Sequence, residues 1–125
     1  MKLAGKLLAV VVFAASVAAM AASFDGSYKF SSRVKNGAPD LQGWSGEMSI
    51  KGDTISRTYK SADGKEDRFY IGTLKKDGDL YTVTYTKAYK PEYVGNQHQN
   101  KFIMNGSNLK IEAPDGKFQE TWTKK

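Results

Sequence analysis

Asp79-Leu80-Tyr81-Thr82-Val83-Thr84-Tyr85-Thr86-Lys87 alternates residue by residue. Tyr81, Val83 and Tyr85 fall on one face of an extended chain, and Thr82, Thr84 and Thr86 on the other. Every residue from Tyr81 to Thr86 is aromatic or β-branched, the types that suit a pleated, half-buried surface. The stretch therefore predicts a strand with the aromatic face inward and the threonines outward. Lys76-Asp77-Gly78 stands before it as a turn. The same unit, a short alternating run closed by a Gly or Pro turn, recurs along most of the chain.

Working outward, the runs are Phe24 to about Val34, Trp44 to Lys51, Thr54 to Lys60, Asp67 to Lys75, the opening stretch, Asn100 to Met104, Asn108 to Ala113 and Lys117 to Thr123. In the first run Phe24, Gly26, Tyr28 and Phe30 share one face, and Lys29, Ser31, Arg33 and Lys35 the other. The fourth run is apolar on both sides, with Phe69 and Ile71 opposed to Tyr70 and Leu74, and a bulge near Gly72 would explain that. Gly52-Asp53, Asn105-Gly106 and Pro114-Asp115-Gly116 supply tight turns. Asn36 to Gly43 and Ala88 to Gln99 read as loops. No run beyond the N-terminal segment has helical periodicity. Eight short strands with mostly short connections predict an all-β, antiparallel up-and-down barrel, in which closure removes the sheet edges. A β-sandwich is the alternative.

The N-terminal segment has a different character. Lys2 and Lys6 mark a short positive region, Leu7 to Met20 is apolar and rich in Ala and Val, and Ala19-Met20-Ala21 fits the small-x-small cleavage pattern. Residues 1–21 read as a secretory signal peptide, whose apolar run Leu7 to Met20 is shorter than the roughly 20 apolar residues of a spanning helix. Residues 22–125 read as one domain of an exported, periplasmic or secreted protein. The chain contains no cysteine, so a disulfide, a thiolate metal site and a lipid-attachment cysteine are all excluded. Without Lys2 and Lys6, 17 of the 19 basic residues remain against 13 acidic ones, a formal charge of +4. These charges are dispersed and form no basic stripe for nucleic acid. An outer-membrane barrel needs strands of about 9–11 residues with an apolar outer face. Most of these runs are shorter, and their second faces carry Lys, Glu, Ser and Thr, so no membrane-spanning role is expected.

Phe24-Asp25-Gly26-Ser27-Tyr28-Lys29-Phe30 resembles the Phe-x-Gly-x-aromatic-Lys first strand of the calycins, the superfamily of lipocalins, fatty-acid-binding proteins and avidins. The eight-run meander and the closing run Phe118 to Trp122 are similar to the same scheme. Tyr28 stands where lipocalins carry Trp, no helical lid follows the first run, and no C-terminal helix is evident. The resemblance implies a lipocalin-like barrel that binds a small, mostly apolar molecule.

Tyr28, Trp44, Tyr59, Tyr81, Tyr85 and Trp122 form the expected interior, and so many rings imply a small cavity or none. Two charges interrupt the apolar faces: Arg57 between Ile55 and Tyr59, and Glu120 between Phe118 and Trp122. Burying either alone is unfavourable. Either each sits near a barrel end and reaches water, or both line the cavity and orient a polar ligand group; in a closed meander they can meet only through the lumen. Tyr89, Tyr93 and His98 are placed to frame the mouth. His98, the only histidine, lies between Gln97 and Gln99 and reads as solvated. No catalytic motif, cofactor loop or metal-ligand spacing is present, so the expectation is a protein that is not an enzyme and needs no cofactor. The ligand-binding site is expected at Tyr28, Trp44, Arg57, Tyr59, Tyr81, Tyr85, Glu120 and Trp122. The rival is a protein-interaction or inhibitor module that presents loop 88–99 to a protein partner. A deep, continuous cavity favours the first, and a filled barrel with an exposed aromatic loop the second. N-terminal sequencing of the exported protein is expected to begin at Ala22; a chain that starts at Met1 contradicts the leader assignment.

Overall fold

The computed structural model describes residues 24–125. The signal-peptide assignment falls on residues 1–21 and lies outside the described residues. The strands are β1 (Gly26–Lys35), β2 (Ala38–Asp40), β3 (Ser45–Lys51), β4 (Thr54–Lys60), β5 (Asp67–Asp77), β6 (Leu80–Ala88), β7 (Gln97–Asn105), β8 (Asn108–Glu112) and β9 (Phe118–Lys124). Apart from β2, each strand pairs antiparallel with its neighbours in chain order, and β1 also pairs with β9. The result is a closed eight-stranded meander. The three-residue β2 is an extra ladder on the second half of β1, with Val34 opposite Pro39. Asn36 to Gly43, expected as a plain loop, thus folds back as a short hairpin. A single 3₁₀ turn, Pro91–Tyr93, interrupts the segment between β6 and β7. β7 begins at Gln97 rather than Asn100, because Thr84 and Val83 of β6 pair with Gln97 and His98.

The alternating faces form as the sequence pattern requires. Val83 and Tyr85 are buried and Tyr81 is half-buried, whereas Thr86 is exposed and Thr82 and Thr84 are half-buried. Met48 and Ile50 of β3, Ile55 and Tyr59 of β4, and Leu109 and Ile111 of β8 complete a core with Tyr28 and Trp122. Burying each such side chain contributes about 1.5–3 kcal/mol before entropy is counted. The outward faces of β3 and β4 carry exposed Ser45, Glu47, Ser49, Lys51, Thr54, Thr58 and Lys60. Among the described residues no helix is long and apolar enough to cross a membrane.

Two bulges break the simple alternation. In β1, Phe30 pairs with Trp122 but Ser32 pairs with Thr121, so Ser31 is an extra residue. One inserted residue exchanges the two faces of everything that follows. Tyr28 and Phe30 face inward before the bulge, and Arg33 does so after it. In β6, Lys87 pairs with Ile71 and Tyr85 with Gly72, which leaves Thr86 as the extra residue opposite the Gly72 position. Gly72 is needed there because a Cβ would collide with the backbone carbonyl oxygen of Thr84.

The barrel has a closed and an open end. At the closed end the rings of Phe24, Tyr81 and Phe102 form a triangle with centroids 5.3–5.7 Å apart. The Tyr28 hydroxyl donates to the Phe24 carbonyl oxygen at 2.6 Å, which ties the start of the chain across this end and satisfies a buried polar group. The expected outcome for Gly72→Ala is a loss of about 1–3 kcal/mol, from forcing β5 and β6 apart. Urea unfolding measures it, and an unchanged midpoint contradicts the close approach.

Candidate functional site

β9 places Glu120 two residues before Trp122, on the same inward face, and its carboxylate is fully buried. Each oxygen is saturated. Oε2 accepts from Arg33 Nε at 2.9 Å, Arg33 Nη2 at 2.7 Å and Tyr59 Oη at 2.8 Å. Oε1 accepts from Arg57 Nη1 at 3.2 Å and Trp122 Nε1 at 2.8 Å. A carboxyl group that takes five donors and offers none is in its ionised, acceptor-only form. Arg57 continues the chain by donating from Nη2 to the Tyr85 hydroxyl at 2.8 Å. Arg33 also reaches Asp40 of β2 through Nη1, at 3.4 Å. Arg57 and Glu120 therefore do not sit at the barrel ends in contact with water; they meet through the lumen. The reason is register. Ser31 turns Arg33 inward opposite Glu120, and the two guanidinium groups converge on one carboxylate from β1 and β4.

Flat rings hold the guanidinium groups in place. The Arg33 guanidinium lies 5.1 Å from the Tyr59 ring centroid and 5.3 Å from that of Phe118, and the Arg57 guanidinium lies 5.6 Å from that of Tyr70. Burial pushes the pKa of Arg57 down, but the surrounding oxygens of Tyr59, Tyr85 and Glu120 outweigh it and the net direction is up. Among these neighbours Glu120 is the carboxylate, and it is ion-paired with Arg57 at 3.2 Å. The same contest, burial against Glu120, raises Arg33. Burial raises the Tyr59 phenol, and Glu120 adds to the shift. Tyr70 is pushed up to about 12 by burial and by the neighbouring Tyr89 hydroxyl. Partial burial, then the positive charge of Arg57, lowers the pKa of His98.

Above this network the barrel is hollow. A cavity of about 560 Å³ opens at the end where β1, β4, β6 and β8 finish. Tyr59, Tyr70, Tyr85, Phe102 and Phe118 supply its aromatic wall, with Ile55, Val83 and Ile111 between them. Tyr89, Tyr93 and His98 stand at the mouth. Backbone bonds from Tyr85 N to Asn96 O at 3.0 Å and from Gly95 N to Tyr85 O at 2.8 Å tie the mouth segment to β6. Tyr93 and Tyr89 pack on Tyr70, at centroid distances of 6.4 and 5.6 Å. His98 belongs to β7 rather than to a loop, and its ring lies 5.2 Å from that of Tyr85.

Of the eight expected ligand-binding residues, Arg57, Tyr59 and Tyr85 line the cavity. Glu120 lies beneath it as the anchor of Arg57. Tyr28, Tyr81 and Trp122 are packed into the closed half of the barrel, which is why so many rings still leave the open half hollow. Trp44 is not in the lumen. It precedes β3 at the rim, half-buried, with the Arg68 guanidinium 4.7 Å from its ring centroid. Arg33, Arg68, Tyr70 and Phe118 were missed. Arg33 was hidden by the Ser31 bulge; Tyr70 shares its face with Gly72 and Leu74, and that spacing was the available signal. Among the described residues no group of three or more His, Asp or Glu side chains is gathered that could hold a metal ion.

Removing one partner of such a network strands a buried charge, at about 3–5 kcal/mol. Arg57→Met and Glu120→Gln are each expected to lose stability in that range, and the double variant less than their sum. Urea melts of the three variants test this; small, additive losses contradict a shared network.

No protein-family model matches the chain, and no curated protein matches it. Solved structures do. A lipocalin-like protein of Bacteroides uniformis is 13% identical over 81% of this chain and 97% of its own, with a TM-score of 0.54. A candidate lipoprotein of Streptococcus pneumoniae is 16% identical over 82% and 92%, also with a TM-score of 0.54. An uncharacterized protein of Bacteroides eggerthii is 7% identical over 82% and 100%, with a TM-score of 0.58. At such identities the likeness is one of fold, and the fold of this chain is a lipocalin-like, closed eight-stranded antiparallel barrel.

Proposed function

We propose that this chain is an exported binding protein that takes one small, mostly apolar molecule into the open end of its barrel and does not transform it. The observation that carries this is the cavity of about 560 Å³, open at one end and plugged at the other by Phe24, Tyr81 and Phe102. Ligand sites typically enclose about 300–1,000 Å³ and are lined by apolar and aromatic groups with a few placed polar ones. Binding without chemistry is supported by Glu120. It is the one fully buried carboxylate among the described residues, and both its oxygens are engaged by donors, so neither is available as a base. Export is supported by the leader-like residues 1–21 and agrees with the likeness to a candidate lipoprotein. The mouth segment favours this reading over protein inhibition, because Tyr89 and Tyr93 turn onto Tyr70 and are half-buried rather than displayed.

Native mass spectrometry of protein purified from its own source is expected to show one additional small mass per chain, lost on denaturation. Ala113→Trp, which narrows the open end of the cavity, is expected to reduce that adduct while leaving the fold intact. An unliganded chain mass under native conditions, with no small molecule recovered by solvent extraction, contradicts the proposal.

A further inference from the structure

We propose that the molecule held in this barrel is a planar aromatic compound bearing a single negative charge, with that charge seated on Arg57 and the Tyr85 hydroxyl. This rests on the cavity being a binding site and names the chemistry that fits it.

The first observation is charge. Arg33, Lys35, Arg57 and Arg68 line the cavity, and no carboxylate does. Glu120 sits beneath the wall and is shared between Arg33 and Arg57, so two buried guanidinium groups face one buried carboxylate. Asp40 contacts only Arg33, at 3.4 Å, and lines a groove on the far side rather than the cavity. Counting Asp40, two guanidinium groups and two carboxylates balance, but both carboxylates lie outside the cavity lining, and the charged side chains that line the cavity are all cationic. An anion entering the cavity meets these cations with no carboxylate in the lining, which favours its charged form.

The second observation is the direction of the donors. Arg57 commits Nη1 to Glu120 and Nη2 to Tyr85. A guanidinium carries five N–H donors and no acceptor, so donors remain. The Tyr85 hydroxyl accepts from Arg57, and its own proton has no acceptor among the described residues. A phenol proton and guanidinium protons on one wall form a pocket of donors, the arrangement that recognises an anionic oxygen through charge-assisted bonds.

The third observation is shape. Tyr70 lies 5.1 Å from Tyr85 (tilted), 5.6 Å from Tyr89 (edge-on) and 6.4 Å from Tyr93 (stacked), an aromatic cluster beside Arg57. Such a cluster favours a flat, aromatic body over a flexible aliphatic chain.

Calorimetric titration of the mature protein at neutral pH with naphthoate, naphthamide and octanoate separates these features. Naphthoate is expected to bind at least about tenfold more tightly than naphthamide, the scale of a charge-assisted bond, and more tightly than octanoate. Arg57→Met is expected to abolish the preference for naphthoate over naphthamide. Tyr85→Phe deletes only a hydroxyl; it serves if the first variant fails to fold and is expected to narrow the preference several-fold. Equal binding of naphthoate and naphthamide overturns the anionic charge while leaving the cavity as a binding site. Octanoate binding as tightly as naphthoate overturns the aromatic body. A preference unchanged in Tyr85→Phe overturns the placement of the charge. Failure of all three compounds to bind counts against the binding site itself, and the inference falls with it.

Discussion

The carboxylate of Glu120 is the constraint on which the rest of the interior depends. It is fully buried and draws donors from β1, β4 and its own β9 onto two oxygens. A buried ion network of this kind adds little stability over an apolar filling of the same volume, and breaking one member is what costs. Its consequence is geometric. It sets the heights of Arg33, Arg57, Tyr59 and Trp122 relative to one another, and so determines where the packed half of the barrel stops and the hollow half begins.

That division gives the barrel a direction. Below Glu120 the space is filled by Tyr28, Met48, Leu109 and Trp122, all within 2% of full burial, and the end is stoppered by Phe24, Tyr81 and Phe102. Above it the walls carry rings and cations but leave room. The N-terminal end of the described chain is pinned to the closed end through the Tyr28 to Phe24 hydrogen bond. The longest connection, with its 3₁₀ turn at Pro91–Tyr93, lies over the open end. Its backbone is tied to Tyr85, whose hydroxyl meets Arg57, so the mouth and the buried network share a residue.

Likeness of fold at 7–16% identity explains why no family emerges from the sequence while the barrel is plain in the structure. A closed antiparallel meander asks of its residues only an alternating pattern and turn chemistry, which many sequences satisfy. In this chain the open half carries a cationic and aromatic wall.

The sequence by itself determined the all-β class, the eight runs of the barrel, most of the turns and the inward face of Tyr81, Val83 and Tyr85. These are local properties, because a period of two and a Gly or Pro turn are expressed within a few residues. It also marked Arg57 and Glu120 as anomalies, two charges on apolar faces. Only the tertiary structure decided what the anomalies do. Their meeting joins residues 63 apart in the chain, and Arg33 reaches Glu120 across a separation of 87. Arg33 turns inward because one extra residue, Ser31, inverts the faces of β1, and nothing in Ser31-Ser32 announces where the partner strand will accept a bulge. Trp44 continues the inward alternation of β3 yet stands at the rim, because the strand begins one residue after it. Periodicity assigns a side chain to a face; its height along the barrel, and whether it meets a partner or a cavity there, follows from the stagger of strands distant in sequence.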